Sequence, residues 1–204
     1  MRMRKKKNGQ ARLEGCSDYF ISEKPYEKKD IMIEIGCGKG GFMLQLAKAN
    51  PENEYVCIEK ISDVILLAAE KMKRAELKNV KLLNCDAESL PEYFAEGSVK
   101  RIYLNFSDPW PRPKHAKRRL TAPKYLEIYK KLLSDDGAIF FKTDNRIIFD
   151  YSLETLKAAG FRLERLTYDL HNSEYEKDNL HTEYEDNFSA KGFPINRVEA
   201  YISK

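Results

Sequence analysis

Five acids, Glu34, Glu59, Asp86, Asp108 and Asp144, stand at or just beyond the ends of short apolar runs. Carboxylates in such places can neutralise a bound cation, hold ribose hydroxyls or accept a hydrogen bond from a purine amine. A glycine-rich turn follows the first of them: Glu34-Ile35-Gly36-Cys37-Gly38-Lys39-Gly40-Gly41. Glycines there let the backbone bend sharply and approach a ligand closely. Gly36, Gly38 and Gly41 also satisfy G-x-G-x-x-G, so a dinucleotide and nicotinamide chemistry stay open. A phosphate-binding P-loop is excluded, because Lys39 comes too early and no Ser or Thr follows it. Glu34 would repel a pyrophosphate across the turn but suits a ligand with a cationic amino group, as S-adenosylmethionine has. Glu59 lies about twenty residues past the glycines, the spacing that holds ribose hydroxyls. Asp86 is placed to reach the exocyclic amine of an adenine. One acid at a strand end is usually a helix cap; five along one sheet edge make a site.

The second stretch with chemical content is Tyr103-Leu104-Asn105-Phe106-Ser107-Asp108-Pro109-Trp110-Pro111, which holds the only tryptophan. Pro109 and Pro111 lock their backbone angles. A stiff Asp-Pro-aromatic turn can hold a planar base beside a carboxylate, although a tryptophan buried against the sheet would read the same way. Arg112, Lys114, Lys117, Arg118 and Arg119 follow with no intervening acid, beside His115. Basic side chains next to a base-sized pocket would position a nucleic-acid backbone. A second acid-free run, Arg2, Arg4, Lys5, Lys6, Lys7 and Arg12, opens the chain. The net charge of +4 is modest; its segregation points to a polyanionic partner.

The elements that must carry these residues alternate. Strands are expected at 31–35, 55–58, 80–83, 99–106, 138–142, 161–170 and 197–202. Helices are expected from Gly41 to Asn50, over Ile61 to Met72, from Pro123 until Gly137 closes it, and through Phe149 to Leu156 until Gly160. A weak helical segment surrounds residues 91–94. Ile61, Val64, Ile65, Ala68, Ala69 and Met72 recur with helical period. This alternation predicts a doubly wound α/β sheet, with ligands outside the carboxyl ends of its strands. Residues 1–29 are polar and irregular and are expected to be a flexible basic arm before a single domain over 30–204.

With 204 residues, 42% of them apolar and 33% charged, the chain is large enough for a substantial core. No apolar run approaches the ~18 residues of a membrane span, and the N-terminus lacks the apolar stretch of a secretory signal. Cys16, Cys37, Cys57 and Cys85 are widely spaced, and His115, His171 and His181 have no ligand spacing. A reduced, cytoplasmic protein without a metal site is expected.

The sequence resembles the bacterial tRNA (guanine-N7)-methyltransferases. The shared features are the Met1-Arg2-Met3-Arg4 start, Glu34 to Gly40, Tyr103 to Pro111, Lys117-Arg118-Arg119-Leu120, Phe141-Lys142-Thr143-Asp144-Asn145, Asp169-Leu170-His171 and Thr182-Glu183-Tyr184-Glu185. The resemblance implies a Rossmann-like class I methyltransferase fold with a mostly parallel sheet. It implies methyl transfer from S-adenosylmethionine to N7 of the tRNA variable-loop guanosine (position 46); another RNA base or atom is the alternative target. It also implies a monomer or homodimer. Residue by residue, it implies that Glu34, Glu59, Asp86, Asn105 and Asp108 contact the cofactor, with Gly36, Gly38 and Gly40 shaping its loop. Asp108 is the implied catalytic residue. Arg112, Asp144, Thr182, Glu183, Tyr184 and Glu185 match substrate positions, and Lys114, His115, Lys117, Arg118 and Arg119 match the RNA-contacting segment. The family commonly has lysine where this chain has Arg112, followed here by Pro113. Arginine is a flat fork where lysine is a point charge. From the residues alone, Thr182 to Glu185 read as a solvated turn; the resemblance makes them a lid over the base.

Overall fold

A computed structural model of the chain describes residues 8–189 and 191–202. Arg2, Arg4, Lys5, Lys6 and Lys7 of the expected basic arm lie outside the described residues. Among these residues, seven strands form one sheet: β1 (Ile31–Ile35), β2 (Tyr55–Ile58), β3 (Val80–Leu83), β4 (Val99–Asn105), β5 (Leu133–Thr143), β6 (Phe161–Thr167) and β7 (Asn196–Ile202). Their order is 3-2-1-4-5-7-6. The first five run parallel, and β7 is antiparallel to both β5 and β6. This is the expected doubly wound, mostly parallel fold. The chain steps outward from β1 to β3 and then returns to place β4 on the other side of β1. Ligands of such sheets lie in the crevice at that reversal.

Among the described residues, six α-helices accompany the strands: α1 (Gly9–Glu14), α2 (Gly41–Ala49), α3 (Ser62–Arg74), α4 (Pro123–Leu132), α5 (Arg146–Ala158) and α6 (Glu183–Ser189). Strand residues alternate between two faces. Ile33, Ile102, Leu104, Ile139, Phe141 and Val198 meet α4 and α5 through Leu126, Tyr129, Phe149 and Leu156. On the opposite face Tyr55, Cys57 and Leu82 meet Met43 of α2 and Ile65, Ala68 and Met72 of α3. From Ile65 to Met72 the predicted apolar stripe of α3 is this buried face, and each fully buried Ile or Met on it contributes about 2 kcal/mol. None of the described helices is long and apolar enough to cross a membrane.

Several expectations change. From residue 8 the polar N-terminal stretch is packed against the domain. Arg12 donates from Nε and Nη2 to Glu70 of α3, both at 2.7 Å, and Cys16 joins the core. Phe20 bridges to Leu82 and Tyr26 to Phe94. Isolated aromatics in a polar run have no period, so the contact was not visible in the pattern. Helix α4 ends at Leu132, before Gly137. Leu133 already pairs with Val99, the next pair is Ala138 with Arg101, and residues 134–137 bulge between them. Strand β6 stops at Thr167, while Leu170, fully buried, belongs to the core. The polar loop before β7 contains a 3-10 turn at Glu174–Asp178 as well as α6.

Candidate functional site

Two cavities open at the carboxyl ends of the central strands. One, about 250 Å3, is walled by Glu59, Ile61, Asp86, Asp108 and Trp110. The other, about 370 Å3, is walled by Glu34, Gly38, Asn105, Thr182 and Tyr184. Gly36 and Phe106 line both, which makes them two lobes of one cleft. The fold thereby brings together four of the five strand-end acids. Asp144 lines neither lobe but approaches from β5, close enough for its charge to act on Tyr184. Burial pushes the Tyr184 phenol up, and Asp144 adds to that shift.

Glu34 sits inside β1 and is only 3% exposed. Its Oε1 accepts a hydrogen bond from Asn105 Nδ2 at 2.9 Å across the sheet, and its Oε2 is buried without a partner. Burial in this setting pushes the carboxyl up to about 7, against the opposing effects of Asn105 and Lys142. A buried carboxylate oxygen without a donor is costly and calls for one from a ligand.

The glycines divide their work. Gly36 and Gly38 have φ of 77° and 56°, and a Cβ at either would meet nothing within 4 Å. Their open side faces the cleft they line. Gly40, at φ 68°, has its missing Cβ position 2.9 Å from Met72 Cε and 3.0 Å from Ala68 Cβ. It therefore lets α3 approach the start of α2.

Two of the acids accept a local backbone N–H, each through one oxygen; Asp86 caps the 3-10 turn Ala87–Glu92, and Glu59 closes a tight turn just before α3. Glu59 Oε1 accepts from Ile61 N at 3.0 Å, and Asp86 Oδ1 accepts from Glu88 N at 3.2 Å. Both side chains still line the cleft. Asp108 is exposed on the loop after β4. Phe106 and Trp110, at φ 49° and 41°, hold that loop in the left-handed region. Strain of this kind in non-glycine residues persists where the surroundings over-determine it, and it concentrates at functional sites. Trp110 is a half-buried cleft wall, with His115 edge-on at 5.8 Å and the Arg118 guanidinium over its ring at 4.9 Å. It is not a tryptophan sealed into the core.

The basic segment splits. Arg112, Lys114, Lys117 and Arg118 are exposed and His115 is half-buried. Pro113 opens the 3-10 turn Pro113–Arg118, a position where its missing N–H has no cost. Arg119 departs from the expected RNA-contacting role. At 6% exposure it turns inward, donates from Nη2 to the Trp110 carbonyl at 3.1 Å and lies over the Tyr151 ring. It anchors the loop from beneath.

Thr182 to Glu185 is a helix start rather than an irregular turn. Thr182 Oγ1 accepts from Glu185 N at 2.9 Å, and Glu185 Oε2 accepts from Thr182 N at 3.4 Å, a capping box at the head of α6. Thr182 and Tyr184 line the cleft, while the side chain of Glu183 lies outside the described residues. Glu185 is fully buried and does not face the cleft. Its carboxylate accepts from Lys142 Nζ at 2.7 Å, from Asn179 Nδ2 at 2.7 Å and pairs with His171 Nε2 at 2.9 Å. Burial alone would raise it, but the Lys142 charge and these donors hold it below the usual carboxylate range. His171, His181 and Glu185 bring ligating atoms within 4.8 Å of one another. Lys142 already neutralises Glu185, and both His181 nitrogens meet carboxylates, of Glu176 and Asp186.

Three further side chains line the cleft without a distinct signal in the sequence. Phe106, taken as the last strand residue, instead begins the loop and packs its ring 4.9 Å from Tyr184. Ile61, taken as a helix-face residue, precedes α3 and is half exposed in the cleft. Phe42 closes the second lobe. Their signal was only adjacency to the glycine turn and to the strand ends.

These features fit S-adenosylmethionine. Glu34 Oε2 lacks a donor, and the cofactor's ammonium is one; Gly36 and Gly38 leave open space beside it; three acids and an indole stand in the adjoining lobe.

A family model described as "Putative methyltransferase" matches residues 28–198. A tRNA (guanine-N(7)-)-methyltransferase of Macrococcus caseolyticus is 47% identical, over 93% of this chain and 88% of its own. One of Lachnoclostridium phytofermentans is 51% identical over 92% of each chain. One of Listeria innocua is 53% identical over 85% of this chain and 81% of its own. Among solved structures, an Aquifex aeolicus SAM-dependent methyltransferase has a TM-score of 0.61 at 16% identity, covering 94% of this chain and 89% of its own. An antibiotic-related methyltransferase has 0.63 at 18%, covering 98% and 97%. These two speak for the fold.

Proposed function

The chain belongs to the family of tRNA (guanine-N7)-methyltransferases, and from that premise we propose that it methylates N7 of a guanosine in tRNA, at position 46 of the variable loop. The observation that carries the reading is the two-lobed cleft, with the unpartnered oxygen of Glu34 in one lobe and Asp108 beside Trp110 in the other. A tRNA substrate also supports a cytoplasmic location.

When bound, S-adenosylmethionine supplies an electrophilic methyl group on a sulfonium. Glu34 would receive its ammonium, Glu59 its ribose hydroxyls and Asp86 its adenine amine, with Ile61 and Trp110 against the ring. Guanine N7 carries a free lone pair at neutral pH, so no base has to remove a proton before attack. The protein's part is therefore positioning and electrostatics. Phe106 and Tyr184 offer an aromatic wall for the base beside the second lobe. Asp108 and Asp144 flank that wall, where a carboxylate can accept from guanine N1–H and its amine and can stabilise the positive charge that grows on the ring. Thr182 borders the same lobe, and Glu185 holds the head of α6 in place through Lys142. Arg112, Lys114, His115, Lys117 and Arg118 are left to the RNA backbone, where contacts orient without reading sequence.

The test is transfer of labelled methyl from S-adenosylmethionine to unmodified tRNA, followed by borohydride and aniline cleavage at 7-methylguanosine. One cut in the variable loop is expected. Incorporation without cleavage would move the target atom, and no incorporation would reject the reading. Asp108→Ala is expected to lower turnover at saturating cofactor; a loss confined to cofactor affinity would remove the catalytic half of its role.

A further inference from the structure

The face of the sheet that carries α2 and α3 is not covered evenly. Those helices pack over β1, β2 and β3. Beyond them three in-register rows cross the sheet: Arg101 with Ala138 and Tyr201, Tyr103 with Phe140 and Glu199, and Asn105 with Lys142 and Arg197. The alternate residues of the same strands are the apolar ones under α4 and α5. A core-facing row would be apolar. These rows instead carry Arg101, Lys142, Arg197 and Glu199, and they floor a cavity of about 290 Å3, rimmed by Phe42 and Leu46 of α2 and by residues 178–180.

The charges in it do not balance. Lys142 is fully used, donating to Glu185, Asn179 and the Leu180 carbonyl. That leaves Arg101, Arg165 and Arg197 facing Asp178 and Glu199. Arg197 is 8% exposed; one guanidinium nitrogen donates to Glu199 and the other, Nη1, is buried with no partner. Arg165 donates to Asp178 at 2.7 Å, but its buried Nε has no hydrogen bond and is 3.6 Å from Glu199. Glu199 has both oxygens engaged, by Arg197 and by Tyr201. Arg101 lies over the Phe140 ring at 4.7 Å and, among the described residues, has no carboxylate partner. Both oxygens of Glu199 and one of Asp178 are taken, while buried N–H donors and positive charge are left over.

We propose that this cavity is an anion site that takes a phosphate group. Guanidinium forks match phosphate oxygens in geometry and bind them through charge-assisted hydrogen bonds. The group has two possible sources, a backbone phosphate of the bound tRNA or a free phosphate species. Phe42 and Asn105 are shared with the second lobe of the cleft, so the site is one side chain away from the methyl-transfer region. The inference goes beyond the proposed function and does not depend on it.

The experiment is thermal unfolding of the full chain in sodium phosphate against sodium chloride at matched ionic strength, with phosphorus NMR line broadening as a second readout. A saturable rise in Tm specific to phosphate is expected. Arg101→Gln, which breaks no ion pair among the described residues, is expected to weaken phosphate about tenfold, the loss of one charge-assisted contact. Arg197→Gln is the second variant, and should it not fold, Arg101→Gln alone decides. Equal Tm in the two salts, or an undiminished phosphate response in Arg101→Gln, overturns the site. Unmodified tRNA separates the sources. Phosphate that raises the apparent Kd for tRNA in the wild type but not in Arg101→Gln identifies a backbone phosphate; phosphate that binds without affecting tRNA identifies a free anion.

Discussion

Replacing Glu34 with Gln keeps the shape and the acceptor for Asn105 while removing a buried ionisable group. The carboxyl titrates near 7 in the folded chain against an ordinary 4.5. At ~1.4 kcal/mol per pH unit, that rise is worth about 3 kcal/mol. The sign follows from proton counting. Below pH 4.5 the group is protonated in both states and costs nothing. Between 4.5 and 7 the unfolded chain ionises first, so wild-type stability falls with rising pH, and above 7 the whole cost is present. In the Gln variant this loss is absent, and titrations common to both proteins cancel in the difference. The cofactor-free variant is therefore expected to gain about 2.5 kcal/mol relative to wild type between pH 5 and 8, measured by urea unfolding at each pH. An unpartnered amide N–H offsets the absolute gain by ~1 kcal/mol or more without altering its pH dependence. Cofactor binding moves the other way. Loss of a charged acceptor for the ammonium costs about 1.5–3 kcal/mol, roughly 10- to 150-fold in Kd by calorimetry. Wild-type affinity rises with pH through about 7, and the variant is flat over that range. A variant with unchanged affinity would refute the assignment of the unpartnered oxygen to a ligand, and one with the wild-type pH dependence of stability would refute Glu34 as the source of that dependence.

Gly40→Ala places a methyl against Met72 and Ala68 at a left-handed residue and should destabilise by about 2–4 kcal/mol in urea. Gly38→Ala, with open space around it, should cost only ~1–2 kcal/mol while weakening cofactor binding. Lys142→Met strands the fully buried Glu185 and is expected to cost about 3–5 kcal/mol, with Lys142→Met/Glu185→Leu losing less than the sum of the single changes. Arg119→Met removes the hydrogen bond under the Trp110 loop. Because Trp110 is the only tryptophan, its fluorescence should shift toward an exposed indole, together with a stability loss of about 1.5–3 kcal/mol. An unchanged spectrum would disconnect Arg119 from the loop.

The sequence by itself determined the sheet and its active edge. Strands β1, β2 and β3 begin and end where the apolar runs do, because a strand buried on both faces must be apolar along its length. Glu34, Glu59, Asp86 and Asp108 could be placed along one edge because strand polarity is fixed by the alternation with helices. The glycine turn could be read because a sharp backbone reversal restricts residue type locally. The tertiary structure decided what depends on orientation. Arg118 and Arg119 are adjacent and alike in type, yet one covers Trp110 from outside and the other holds its carbonyl from within. Thr182 and Glu185 look like a polar turn until the helix they cap and the lysine beneath them are in place. The charged rows at Arg101 and Arg197 are assembled from strands far apart in the chain. Local pattern records period and residue type. Burial, partners and leftover donors arise only when distant segments meet.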